Sequence, residues 1–149
     1  MEFAVDGGAG WRGQVAAWLD RHLGHEVLDP TRFEHDQLNE EQRRLLPQLK
    51  RAREFDAIRK LAIKIVRYDV ALLLEHSDYV ICHWNEDTQL GCGTAGELTI
   101  AAMHGKPVHL MLEYPPSRAS TWMIGCTTTI HDNWEDLLEA VRKLHGGQS

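Results

Sequence analysis

The chain has 149 residues, 43% hydrophobic and 26% charged, with a net charge of −6. That balance fits one globular domain, able to bury a core without a metal or disulfide staple. The acidic total argues against a nucleic-acid polymer or an anionic membrane as partner, since basic surface supplies the affinity for both.

Three cysteines without CxxC spacing read as small buried thiols. Nine scattered histidines without HExxH predict no metal site, and no cofactor is expected. Nothing resembles a signal peptide or a membrane-spanning run, which points to the cytoplasm.

Glu2-Phe3-Ala4-Val5 reads as a short first strand. Asp6-Gly7-Gly8-Ala9-Gly10 follows, a loop whose glycines permit a sharp turn and close approach. Trp11 to Leu23 is an amphipathic helix, ended by Gly24. Glu26-Val27-Leu28 reads as a second strand, stopped by Asp29-Pro30. Residues 31–50, polar and with Pro47 inside, read as a long, partly helical excursion, either a lid or a solvated insertion.

Arg51 to His76 is strongly helical, with Phe55, Ile58 and Ile65 on one apolar stripe. Asp69 falls on that stripe too. Either it is paired or faces a polar pocket, or the helix breaks near Tyr68 and Asp69 caps the next turn.

Ser77 to Glu113 organises the rest. Tyr79-Val80-Ile81-Cys82 is a buried strand, Trp84 to Leu90 a polar loop, and Gly91 to Gly96 a glycine-rich turn. Leu98 to His104 is a helix opened by Glu97 and capped by Gly105, and Pro107 to Leu112 is the next strand. Arg118 to Cys126 is irregular. Thr127 to Ile130 is a last strand, and Trp134 to Leu144 a helix capped by Asp132 or Asn133.

Five strands alternating with helices predict an α/β fold. It would be a single doubly wound flavodoxin-like domain over residues 1–149, with a five-stranded parallel sheet in order 2-1-3-4-5. That order sets the loops after the first and third strands side by side.

Gly91-Cys92-Gly93-Thr94-Ala95-Gly96 matches G-x-G-x-x-G, but a dinucleotide site wants it directly after the first strand, and here a polar loop intervenes. Its physical content is close approach and the free N–H groups of a helix start. Glu97 reads either as an acid favoured by the helix dipole or as a functional carboxylate. Asn85, Glu86 and Asp87 read either as a solvated loop or as ligand contacts. Trp84 and Trp122 are packing or stacking groups.

Asp69 with Ser77-Asp78-Tyr79-Val80-Ile81, then Gly93-Thr94-Ala95-Gly96-Glu97-Leu98, then Ala101-Ala102-x2-Gly105-Lys106-Pro107-Val108 resembles the nucleoside 2-deoxyribosyltransferase family. Related nucleoside monophosphate N-glycosidases share the pattern. Trp11-Arg12 through Asp29-Pro30 is similar to the start of the same family. Its first strand ends near a tyrosine, where Val5-Asp6-Gly7-Gly8 stands here.

The resemblance implies cleavage or transfer of the N-glycosidic bond of a nucleoside or its monophosphate. Glu97 stands at the place of the nucleophile and Asp69 at that of the upstream aspartate. Asn85 and Asp87 fall in the loop that contacts base and sugar.

A carboxylate below the sugar can attack or stabilise an oxocarbenium-like C1′, while a protonated acid, Asp69 or else Asp87, assists the leaving base. Gly7, Gly8, Gly91, Gly93 and Thr94 would line the crevice, and Arg12 is the nearest cation for a 5′-phosphate. Partners are then a nucleoside or nucleotide, a free nucleobase, and a second copy of the chain in a homodimer or larger homo-oligomer. The alternative from another class is a nucleotide-binding sensor that uses the same crevice without cleavage.

Overall fold

Val108-His109-Leu110-Met111-Leu112 is the centre of the molecule's sheet, and all five residues are buried. A strand buried on both faces needs a neighbour along each edge and a layer over each face. The computed structural model, which describes residues 10–30, 37–86, 88 and 92–147, supplies them.

The elements in chain order are α1 (Gly10–Leu23), α2 (Glu40–Ala52), α3 (Phe55–His76), β1 (Val80–Trp84), α4 (Cys92–Met103) and β2 (Val108–Leu112). A 3₁₀ turn (Pro116–Arg118), α5 (Thr121–Gly125), β3 (Thr129–His131) and α6 (Trp134–His145) complete them. The strands form a parallel sheet in order β1-β2-β3, with Cys82 opposite Leu110 and Leu110 opposite Ile130.

This corrects the predicted fold. Among the described residues the sheet has three strands, so the five-stranded flavodoxin-like sheet in order 2-1-3-4-5 is not what the chain forms. The predicted first strand, residues 2–5, lies outside the described residues. Glu26-Val27-Leu28 joins no sheet. Strand composition alone does not supply a pairing partner, and Val27 instead packs against the apolar cluster of α1 and α6.

The contacts group the chain into two compact units, one formed by Met1–Val27 and Ser77–Ser149, the other by Leu28–His76. In the sheet unit, alternate strand residues face opposite sides. Ile81 and Met111 meet Val15 and Leu19 of α1 and Trp134, Leu137, Leu138 and Val141 of α6. The rings of Trp11 and Trp134 stack at 5.0 Å. On the other face α4 buries Leu98 and Ala101 against β2. α5 joins α4 there, Trp122 Nε1 donating to Thr99 Oγ1 at 2.9 Å, although Trp122 itself is largely exposed.

Local chemistry sets the helix ends. Gly24 and Gly105 sit at φ 65° and 71° after α1 and α4, where other residues would be strained. Asn133 accepts from the Asp136 N–H at 2.9 Å to open α6.

In the helical unit, Asn39 and Gln42 form a reciprocal capping box on α2, and α2 packs on α3. α3 runs unbroken through Tyr68 and Asp69, so of the two readings of Asp69 the one with a helix break near Tyr68 is not what forms. α2 has no buried residue, so its stability leans on its ends. Asn39→Ala is expected to destabilise the helical unit by about 1 kcal/mol. A denaturation midpoint unchanged from the wild type would show that the box carries no weight.

Candidate functional site

In a parallel sheet the carboxyl ends of the strands and the helix starts beside them gather polar groups. β1 ends on Trp84, and Asn85 Oδ1 accepts from both the N–H and the hydroxyl of Thr88 at 2.9 Å, tying down the loop start. Arg118 reaches Glu86 at 3.0 Å. Glu113, just past β2, stands 2.8 Å from His83 Nε2. The ring of His83 is also edge-on to Trp11 at 5.7 Å, and the Arg12 guanidinium lies 4.8 Å above that indole.

Two buried groups at this end, Trp84 Nε1 and Tyr114 Oη, have no hydrogen-bond partner among the described residues. Buried polar groups are seldom left so.

Glu97 does not open its helix. The predicted glycine-rich turn is itself helical from Cys92, which puts Glu97 in the second turn, half-buried. Its charge is therefore not held by free N–H groups of the helix start, as the sequence reading supposes. Each glycine weakens a helix, but burial of Leu98 and Ala101 on the sheet outweighs that preference.

A side chain added at Gly93 or Gly96 would meet nothing within 4 Å, so no close packing among the described residues requires them. Gly96→Ala is expected to stabilise the domain by about 1 kcal/mol. A loss of stability in thermal unfolding would show an unrecognised crowding at that position.

Cys82 of β1 is a buried thiol. Burial foremost, then the Glu97 carboxylate, pushes this thiol up to about 12, with Arg12 opposing. Cys82 is thus an inert thiol rather than a nucleophile.

Of the other predicted site residues, Asn85 directly follows β1, and Gly93 and Thr94 lie in the first turn of α4. Gly7, Gly8, Asp87 and Gly91 lie outside the described residues. Asp69 is half-buried within α3, in the helical unit, and Glu97 lies in α4 of the sheet unit.

A second polar cluster, at the amino ends of the strands, was not foreseen. His109 is fully buried. Its Nδ1 meets Thr129 Oγ1 at 2.8 Å and its Nε2 meets His145 Nε2 at 2.9 Å. The His145 ring stacks on Tyr79 at 4.1 Å, and Tyr79 Oη contacts His25 Nδ1 at 2.9 Å.

Burial first, then His145 and His131, lowers His109 to about 4. Burial first, then Asp78, raises Tyr79 to about 12. The available signal was His109 itself, a polar residue inside an apolar strand that has to find partners. Among the described residues no three His, Cys, Asp or Glu side chains gather as a metal site would require.

No family model, no curated protein and no solved structure matches this chain. With the three-stranded sheet, this corrects the likeness to nucleoside 2-deoxyribosyltransferases. The motif residues that carried it have ordinary structural roles. Gly93 and Gly96 are helical, Gly105 ends α4, Lys106 Nζ donates to Ser77 O, and the Pro107 carbonyl accepts from the Val80 N–H. Any strand–helix–strand unit can call for such residues. No helix among the described residues is long and apolar enough to cross a membrane.

Proposed function

We propose that the sheet unit binds a nucleoside or nucleoside monophosphate at the carboxyl ends of its strands and cleaves or transfers the N-glycosidic bond, with Glu97 as the nucleophile. The observation that carries this reading is the pair of buried polar groups at the carboxyl ends of the strands, Trp84 Nε1 and Tyr114 Oη, which lack a hydrogen-bond partner among the described residues.

A Glu97 oxygen forms a bond to C1′ as the C1′–N bond breaks, giving a glycosyl ester and a free base. Water or a second base then takes the sugar from the ester. Asp69, or else Asp87, gives the departing base its proton. Arg12 and the N–H groups of the first turn of α4 suit a 5′-phosphate or a sugar hydroxyl. Trp84 Nε1 and Tyr114 Oη are groups that a polar ligand would satisfy.

A second reading, binding without cleavage, draws on the same two groups, since Trp84 Nε1 and Tyr114 Oη would be satisfied by a polar ligand whether or not it is cleaved.

The test is to incubate the protein with deoxynucleosides and their monophosphates and to measure free base by chromatography, with ligand-induced thermal stabilisation in parallel. Base release, or exchange with an added base, supports the enzyme. Stabilisation without release supports the sensor. Neither effect with any of these compounds would sink both.

A further inference from the structure

We propose that the α2–α3 hairpin docks on the surface of an anionic lipid bilayer. The chain's net charge of −6 conceals a strong segregation. Residues 43–67 hold nine of the sixteen Lys and Arg but only two of the twenty-two Asp and Glu, namely Glu54 and Asp56. An acidic total argues against an anionic partner only where the charge is evenly spread, and here residues 43–67, within the α2–α3 hairpin, are strongly basic.

The same hairpin exposes large apolar side chains. Leu45 is 41% exposed, Phe55 51%, Ile63 41% and Val66 52%. At 3.6 residues per turn, Phe55, Val66 and Ile63 fall within an arc of about 80° on α3, and Lys60, Lys64 and Arg67 fill the arc beside it. Asp56 pairs with Arg59 on its own helix, and Arg44 pairs with Glu40. Lys60, Lys64 and Arg67 have no ion-pair partner among the described residues.

A band of apolar side chains edged by unpaired cations is the pattern of a helix lying in a lipid headgroup layer, where apolar insertion and attraction to anionic lipid reinforce each other. A second copy of the hairpin would set like charges against each other, which disfavours it as the occupant. A nucleic acid would use the cations but leave Ile63 and Val66 without a role.

The full chain is sedimented with phosphatidylcholine vesicles, with and without phosphatidylglycerol. Binding is expected only to the vesicles containing phosphatidylglycerol, and it should weaken as salt is raised. Lys60→Glu with Lys64→Glu should cut binding by at least about thirtyfold. Phe55→Ser with Ile63→Ser should weaken it at unchanged charge. All four positions are exposed, and circular dichroism checks that each variant is folded.

Equal binding to both vesicle types would overturn the proposal, as would no binding to either. A charge-reversal variant that binds like the wild type would also overturn it. Binding of duplex DNA or RNA instead, indifferent to the serine substitutions, would reassign the surface to nucleic acid. A concentration-dependent dimer abolished by those substitutions, with no vesicle binding, would reassign it to a second copy.

Discussion

Glu97→Gln is expected to lower base release from a cleaved nucleoside by a thousandfold or more while leaving the fold intact. The substitution keeps the shape of the side chain and removes its nucleophilic charge, and loss of a covalent nucleophile is among the largest single-residue effects on turnover, roughly three to six orders of magnitude. Stability should change little, because Glu97 is half-buried on a helix whose packing is carried by Leu98 and Ala101. Removing the carboxylate should also ease its contribution to the raised Cys82 thiol. Comparing Glu97→Gln with Arg12→Ala on a nucleoside and on its monophosphate separates two roles. Arg12→Ala should weaken the monophosphate selectively. If Glu97→Gln retains normal turnover, the nucleophile assignment fails, whatever the substrate.

Acid should destabilise the sheet unit well before its carboxylates titrate. His109 sits at about 4 when folded, below its ordinary 6.5. Between those values the unfolded chain binds the proton and the folded chain does not, so stability is full above 6.5 and falls as pH drops toward 4. The whole effect is about 3 kcal/mol. His145, lowered foremost by burial and then by His25, with Asp78 opposing, tilts the curve the same way.

The useful window runs from 6.5 down to about 5, where most carboxylates remain ionised. Denaturation midpoints across it should fall with a slope approaching one proton, and His109→Gln should flatten that slope. An equal slope in the variant would remove His109 as the cause.

Much of the sheet unit was legible in the sequence, because its elements declare themselves locally. Short apolar runs mark β1 and β2, and a β-branched run ending at Ile130 marks β3. Asn133 with Trp134, Leu137, Leu138 and Val141 marks α6. The failures had other causes. Glu26 to Leu28 has strand composition, but forming a strand needs a pairing partner that no local pattern reveals. Gly93 and Gly96 look like a turn because propensity is a weak prior that burial of neighbouring residues overrides.

At the candidate site, Glu97 was placed at the start of its helix and instead lies one turn further in. Arg12 could be named from sequence only as the nearest cation. The His83–Glu113 and Arg118–Glu86 pairs join separate elements, so they become visible only once the chain is folded. The resemblance failed because glycine, threonine and a Gly-Lys-Pro junction are what a strand–helix–strand unit uses for its own turns. The charge segregation of the hairpin was open to counting but was hidden in the whole-chain sum.

The contact between His109 and His145 has one more implication. Two ring nitrogens 2.9 Å apart hold a single hydrogen between them. If His109 supplies it, its other nitrogen is a bare lone pair that must receive the Thr129 hydroxyl hydrogen. If His145 supplies it, His109 is the opposite tautomer and the Thr129 hydroxyl oxygen becomes the receiver. The last turn of the final helix is therefore tied to the middle and outer strands by a relay that has a direction, and reversing that direction moves three hydrogens together without changing the net charge.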